Sequence, residues 1–230
     1  MSTNHLSEQE IIRREKKAEL EKLGIDPYPA PLYPVNTSAA HIKVHYKGEE
    51  NKADFDQVCV AGRIMSVRDM GKANFAVIQD GTGKIQCYVK QDDLCPGEDK
   101  SLFQNVWKKL LDIGDFIGIK GYVFTTKTGE TSIHVREFTL LSKALRPIPI
   151  VKEKDGEALD EVTDPEFKYR QRYADLIVNP GVKEVFVKRT KLINAIREFL
   201  NERGALEVDT PVLQSIPGGA AARPFTTHHN

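Results

Sequence analysis

Between Phe55 and Leu141 the chain alternates apolar and polar residues in five short runs, QVCVAGRIMSV, NFAVIQD, KIQCYVK, DFIGIKGYVFT and TSIHVREFTLL, and this pattern restricts the fold more than anything else in the sequence. Period-two alternation bounded by turn residues specifies strands with one buried face. Asp80-Gly81-Thr82-Gly83 reads as a hairpin turn between the second and third runs, and Thr128-Gly129-Glu130 as one between the fourth and fifth. A charged helical stretch, DKSLFQNVWKKLL, separates the third run from the fourth. Five strands with a helix after the third is the order of an OB-fold, a small Greek-key barrel whose second and third strands and whose 1-2 and 4-5 loops bind oligonucleotides. Ala76, Ile78, Ile85, Cys87, Val89, Ile133 and Val135 are the expected inward positions. The outward face then carries Phe75 and Gln79 on one strand, and Gln86, Tyr88 and Lys90 on the next.

That outward set has the chemistry of a base-binding platform. A flat aromatic stacks a base, a carboxamide both donates to and accepts from a base edge, and a lysine meets phosphate. Two plainer readings stand beside this one: Phe75 as a surface aromatic covered by the N-terminal helix or another domain, and Glu130 as a residue that solvates a turn. Charge narrows the mode of binding. Lys plus Arg and Asp plus Glu are both 33, and pieces cut at Asp54 and Leu145 stay balanced to within one charge. Affinity for nucleic acid must then come from local cations, stacking and hydrogen bonds rather than a bulk positive field. With 40% hydrophobic and 29% charged residues, the composition is that of a globular protein and excludes disordered or collagen-like chains. No apolar run approaches membrane-spanning length, and the charged start lacks a signal peptide's apolar stretch, so a cytoplasmic location is the default expectation. Cys59, Cys87 and Cys95 form no metal-binding cluster and read as reduced packing residues.

The flanks differ from the barrel region. Residues 7–23 predict a helix with Ser7 as N-cap, Glu10 as its capping-box partner, Gly24 as its stop, and a narrow stripe of Ile11, Ile12, Leu20 and Leu23. Its RREKK run reads as a solvated face in preference to a phosphate contact. The stretch GIDPYPAPLYP is an extended connector. The expected division is therefore 1–54, helix and Pro-rich connector; 55–145, OB-fold; 146–165, linker; and 166–230, a further block. In that block a short helix over EFKYRQRYADLIVN precedes a longer one from Val182 to Arg203, with Val185, Phe186, Leu192, Ile193, Ile196, Phe199 and Leu200 on a broad apolar face. ALEVDTPVL reads as a strand, and PGGAAARPF as a small-residue run. Two helices and one strand do not make an ordinary closed core, so further chain or another subunit is expected to complete it.

RQRYADLIVN, FVKRTKLINAIREFLNERGALEVDTPVL and PGGAAARPFTTHHN, together with VAGRIMSVRDMGKANFAVIQDGTGKIQCYVK and KTGETSIHV, closely resemble bacterial-type lysyl-tRNA synthetases, which are class II aminoacyl-tRNA synthetases. The resemblance implies an OB-fold anticodon-binding domain followed by the start of an α+β class II catalytic domain. It implies that Phe75 stacks on the central anticodon uridine, that Gln86 and Glu130 hydrogen-bond to that base and its neighbours, and that Arg68, in the 1-2 loop region, meets an anticodon phosphate or base. Gly218 would contact the lysine substrate through its backbone, and the helix and strand ending at Pro211 would be the motif 1 element of a homodimer interface. The implied partners are tRNA(Lys), lysine, and ATP with Mg2+. The arginines and acidic residues that hold ATP and magnesium in the family are not matched within these residues, so the 230-residue chain alone is expected to be inactive. The alternatives are an aspartyl- or asparaginyl-tRNA synthetase of the same subclass, which PGGAAARPF disfavours, and a non-catalytic single-strand-binding OB module, which zero net charge disfavours. The shorter lysine-ligating paralogue that modifies an elongation factor lacks the five-stranded domain.

Overall fold

The computed structural model describes residues 6–149, 153–154, 157–158, 164–211 and 227–228. The chain forms two compact units, Met1–Pro149 and Ile150–Asn230.

In the first unit, α1 (Glu8–Lys22) begins at the expected capping box: Glu10 N–H donates to Ser7 Oγ at 3.3 Å, and Ser7 N–H donates to Glu10 Oε2 at 3.0 Å. Gly24, at φ 75°, follows its last turn. The apolar stripe is not what seats this helix. Ile11 and Leu23 are exposed, and the fully covered residues are Leu20 and Arg13. The Arg13 guanidinium donates to the carbonyls of Ile113 at 2.9 Å and Ala144 at 3.0 Å, so a residue expected on a solvated face instead satisfies two loop carbonyls at the barrel's end. After the connector, α2 (Ala39–His45) and a 3-10 segment (Gly48–Phe55) occupy a stretch in which the sequence predicts no element. Ser38 caps α2 by accepting from His41 N–H at 3.3 Å, and Ile42 and Phe55 enter the core.

β1 (Val58–Asp69), β2 (Ala73–Gln79), β3 (Lys84–Lys90), β4 (Phe116–Thr125) and β5 (Thr131–Ser142) form a closed barrel in the order β1-β2-β3-β5-β4. All neighbours are antiparallel except β3 and β5, which run parallel over Gln86–Val89 and Ser132–Val135. Every inward position expected from the alternation is at most 1% exposed. Two further elements, α3 (Gln91–Leu94) and a π-helical segment (Leu102–Leu110), link β3 to β4 and send Leu94, Phe103, Val106 and Trp107 into the same core. The three cysteines are free and buried, as expected.

Close approach fixes one glycine in β4. A Cβ on Gly121 would lie 1.9 Å from the His134 carbonyl oxygen, beside the register shift between Lys120 and Gly121. A second constraint is ionic. The Lys143 ammonium, with no exposed side-chain surface, lies 2.6 Å from Asp112 Oδ2 and 2.7 Å from Asp115 Oδ2, and donates to the Leu110 carbonyl at 2.8 Å. Lys16 of α1 reaches Asp112 Oδ1 at 2.6 Å. Burial would push the Asp112 carboxyl up, yet its hydrogen bonds from Lys143 and Lys16 hold it below its ordinary value. For the deeper Asp115, burial outweighs Lys143 and the carboxyl stays raised.

In the second unit, Asp164 caps α4 (Pro165–Arg170), α5 (Arg172–Val178) follows, and α6 (Pro180–Asn201) is the long helix. The expected single short helix is broken at Gln171, whose ψ of 53° lies outside the helical range. Asp175 is buried, accepting from Arg172 and from Asn179 Nδ2. β6 (Glu153–Lys154) and β7 (Glu157–Ala158) form a two-stranded ladder. The expected strand from Ala205 is a correction: the described residues 205–211, Pro211 included, are irregular and exposed, because among the described residues no strand lies alongside to pair with them. The apolar face of α6 is equally open, with Val185 64% and Leu192 63% exposed.

Lys143→Met should lower unfolding free energy by about 3–5 kcal/mol, because it leaves the buried Asp115 carboxylate without its cation and Asp112 with Lys16 alone. The deficit should shrink as pH falls toward the ordinary carboxylate range near about pH 4. Without Lys143 the Asp115 pKa rises further above its unfolded value, so the folded variant takes up a proton first and gains stability on acidification. Urea titrations followed by Trp107 fluorescence at several pH values measure both effects. Gly121→Ala should cost about 1–3 kcal/mol in the same titration at neutral pH, since the new methyl must displace backbone.

Candidate nucleic-acid interface

Strand register assembles the outer face into two rows. Arg68, Phe75, Tyr88, His134 and Tyr122 are successive cross-strand partners on β1, β2, β3, β5 and β4. Ser66, Val77, Gln86, Ser132 and Phe124 form the row beside it. Phe75 and Tyr88 are half-buried with ring centroids 5.0 Å apart. The N-terminal helix does not cover Phe75; α1 spends its buried side chains on the barrel core and on the 113–144 seam.

Arg68 requires a correction. β1 continues to Asp69 in register with Asn74, so Arg68 lies on the strand opposite Phe75, and the 1-2 turn is only residues 70–72. The Met70 N–H donates to the Ala73 carbonyl at 2.9 Å, and Asp69 accepts from Gly71 N–H at 2.9 Å and pairs with Lys108 at 2.9 Å. Hydrogen bonding to Lys108 and then to Gly71 holds the Asp69 carboxyl below its ordinary value. The Arg68 side chain is exposed and makes no ion pair or hydrogen bond among the described residues.

Gln86 and Glu130 meet through Ser132, a residue that the sequence does not single out. The Gln86 Nε2 donates to Ser132 Oγ at 2.9 Å, and that hydroxyl donates to the Glu130 carbonyl at 3.3 Å. Ser132 is fully buried, so the carboxamide is held with its nitrogen inward and its oxygen without a partner among the described residues. The Glu130 carboxylate is half exposed at the 4-5 turn, 3.9 Å from Lys43 of α2. α2 is docked by Asp80, which accepts from the N–H groups of Ala39 at 2.7 Å, Thr82 at 2.7 Å and Gly83 at 2.8 Å. Burial alone would raise the Asp80 carboxyl, and these donors bring it below its ordinary value. The 2-3 hairpin tip thus places a cation beside the 4-5 turn.

His134, Tyr122, Phe124 and Asp93 also belong to this face and are not among the residues the sequence marks as candidates. The Tyr122 hydroxyl meets His134 Nδ1 at 2.8 Å, and Asp93 Oδ2 meets Nε2 at 2.7 Å, which locks the imidazole in place. Its ring packs edge-on against Tyr88 at 5.1 Å and stacks with Tyr122 at 4.8 Å. Alternation alone marks His134, Tyr122 and Phe124 as outward-facing, but their closeness to Phe75 depends on the β3–β5 pairing, which leaves no signal in the sequence.

Arg68, Phe75, Gln86 and Glu130 are therefore brought onto one face. Pro211 belongs to the other unit, and Gly218 lies outside the described residues. No group of three or more His, Cys, Asp or Glu able to hold a metal ion occurs among the described residues, and no described helix is long and apolar enough to cross a membrane.

Known proteins match both the barrel and the segment that follows it. Residues 58–141 match the OB-fold nucleic acid binding domain family, and residues 164–230 match class II tRNA synthetases (D, K and N). The whole chain is 61% identical over 230 residues to a lysine–tRNA ligase of Porphyromonas gingivalis, covering 40% of that protein. It is 60% identical over 225 residues to one from Azobacteroides pseudotrichonymphae, with 98% of this chain and 44% of that protein covered. A lysine–tRNA ligase of Christiangramia forsetii is 58% identical over 226 residues, with 98% and 39% covered. The chain thus spans about two-fifths of the length of these relatives. With an OB barrel, a class II segment after it and this identity along its full length, the chain belongs to the class II lysyl-tRNA synthetase family and carries the family's OB-fold domain and the start of its synthetase domain.

Proposed function

We propose that the outer face of the barrel binds the anticodon loop of tRNA(Lys), and that the protein containing this region joins lysine to that tRNA using ATP and Mg2+, in the cytoplasm and as a homodimer. The observation that carries the reading is the convergence of a free arginine, a half-exposed phenylalanine and an oriented carboxamide on one face. In this reading Phe75 stacks the central uridine. The unpartnered Gln86 oxygen accepts from the uracil N3–H, a donor that cytosine lacks. Glu130 takes a neighbouring donor, and Arg68 neutralises a phosphate. Gly218 contributes a backbone contact to lysine, and α6 with the segment ending at Pro211 supplies the dimer surface; the exposed apolar residues of α6 support that assignment.

No group of three or more His, Cys, Asp or Glu that could hold a metal ion occurs among the described residues, and no chemical step with ATP and Mg2+ is assigned to them. These 230 residues by themselves should give no lysine-dependent ATP–pyrophosphate exchange above background; measurable exchange would place the activating groups within them.

Binding of an anticodon stem-loop with a central uridine, compared with the cytidine-substituted loop at one fixed salt concentration, tests the reading. Discrimination above about 1 kcal/mol supports an anticodon reader, and equal affinity leaves a general single-strand binder. Phe75→Ala should weaken binding to the uridine loop by about 1–3 kcal/mol with the barrel still folded by circular dichroism.

A further inference from the structure

The outer face holds more aromatic surface than one stacked base occupies. Beyond Phe75 the Tyr88 ring continues to Phe124 at 6.0 Å, and Phe124 lies 5.7 Å from His134. Phe124 is not a core residue. Its chain neighbour Val123 is fully buried inside the barrel, whereas Phe124 is half-buried on the outside, opposite Ser132 in the β4–β5 ladder. That partner is the same serine that orients Gln86, so Phe124 flanks the carboxamide on the side away from Phe75's strand. The other rings are committed to holding the surface rigid. His134 is held at both ring nitrogens, and Tyr122 is stacked on it with the Arg136 guanidinium 4.9 Å from its ring centroid. Phe124 thus extends a run of rings, 6.0 Å from Tyr88, 6.4 Å from Tyr122 and 5.7 Å from His134, and through its ladder partner Ser132 it sits one strand from Gln86, so a base stacked there lies beside a hydrogen-bonding edge.

We infer that Phe124 is a second base-stacking station, taking the nucleotide adjacent to the one on Phe75, with Tyr88 as the divider between the two. The inference rests on the reading of this face as an anticodon binder and extends it from one base to two. Two ring-to-ring steps of 5.0 Å and 6.0 Å connect the stations, a spacing that suits consecutive bases of a splayed strand and not bases several nucleotides apart. Sequence-tolerant stacking at Phe124 would add affinity without specificity, leaving discrimination to Gln86.

The test couples protein variants to RNA lacking single bases, using the whole 230-residue chain. Phe124→Leu removes the flat face and keeps an apolar side chain, and Phe124→Trp keeps the face. Binding is measured to an intact anticodon stem-loop and to loops abasic at the central, preceding or following anticodon position. Phe124→Leu should weaken binding to the intact loop by roughly five- to a hundred-fold, and Phe124→Trp should bind within about twofold of the parent. The loss should vanish on the loop abasic at one flanking position and persist on the loop abasic at the centre. An equal loss on all four RNAs would assign Phe124 a packing role and overturn the inference, as would no loss on any. Phe75→Leu separates the two readings. If Phe75 couples to the central base and Phe124 to neither neighbour, the second station is refuted and the anticodon reading stands; if neither residue couples to any base, both fall.

Discussion

The short parallel ladder between β3 and β5 is the constraint on which the rest of the molecule depends. Only four residue pairs, Gln86–Ser132 to Val89–Val135, make it, yet it turns an open meander into a closed barrel. Closure removes the exposed strand edges that would otherwise pair with other chains. It also seals Cys87, Val89, Ile133 and Val135 into one core, each 0% exposed. On the other side of the same four pairs stand Gln86, Tyr88, Ser132 and His134. The interactions that stabilise the barrel and those that shape its candidate binding face are thus made by alternate residues of the same two strands.

The connections around the ladder follow from that geometry. Parallel neighbours cannot be joined by a tight turn, so the chain must leave β3, cross the barrel and return through β4. The crossing is used to plug the core with Phe103 and Trp107 and to deliver Asp93 to His134. It also delivers Asp112 and Asp115 to Lys143, where the chain leaves β5. This buried cluster is more costly to form than an apolar plug of the same volume, but it fixes register: each carboxylate oxygen has a donor, and Lys16 and Arg13 of α1 attach to the same region. α1 is accordingly held by charge and backbone carbonyls more than by its apolar stripe.

The legible parts of the chain are those in which local chemistry repeats. The five strands, both hairpin turns, the capping box of α1 and the inward set from Ala76 to Val135 all follow from period-two alternation, Gly-containing turns and a Ser-x-x-Glu cap. α2 is hidden by its shortness: its stability comes from Asp80, forty-one residues away from Ala39, rather than from propensity. The residues after Gly204 have the composition of a strand, but β structure is a property of pairs, and among the described residues no strand lies beside them. Arg13 reads as one more charge in a charged run because the carbonyls that bury it come from Ile113 and Ala144.

For the candidate site the division has the same cause. Phe75 and Gln86 can be assigned to an outer face from the sequence, because side-chain direction in a strand is a local property. What they touch is not local. That Arg68 sits on a strand opposite Phe75, that Ser132 orients Gln86 toward Glu130, and that Phe124 and a clamped His134 extend the aromatic surface were decided by strand register and barrel closure. The sequence by itself determined which residues face out of the barrel, since alternation is written residue by residue. Only the tertiary structure decided which of them are neighbours, since pairing joins residues about fifty positions apart whose proximity no local pattern encodes.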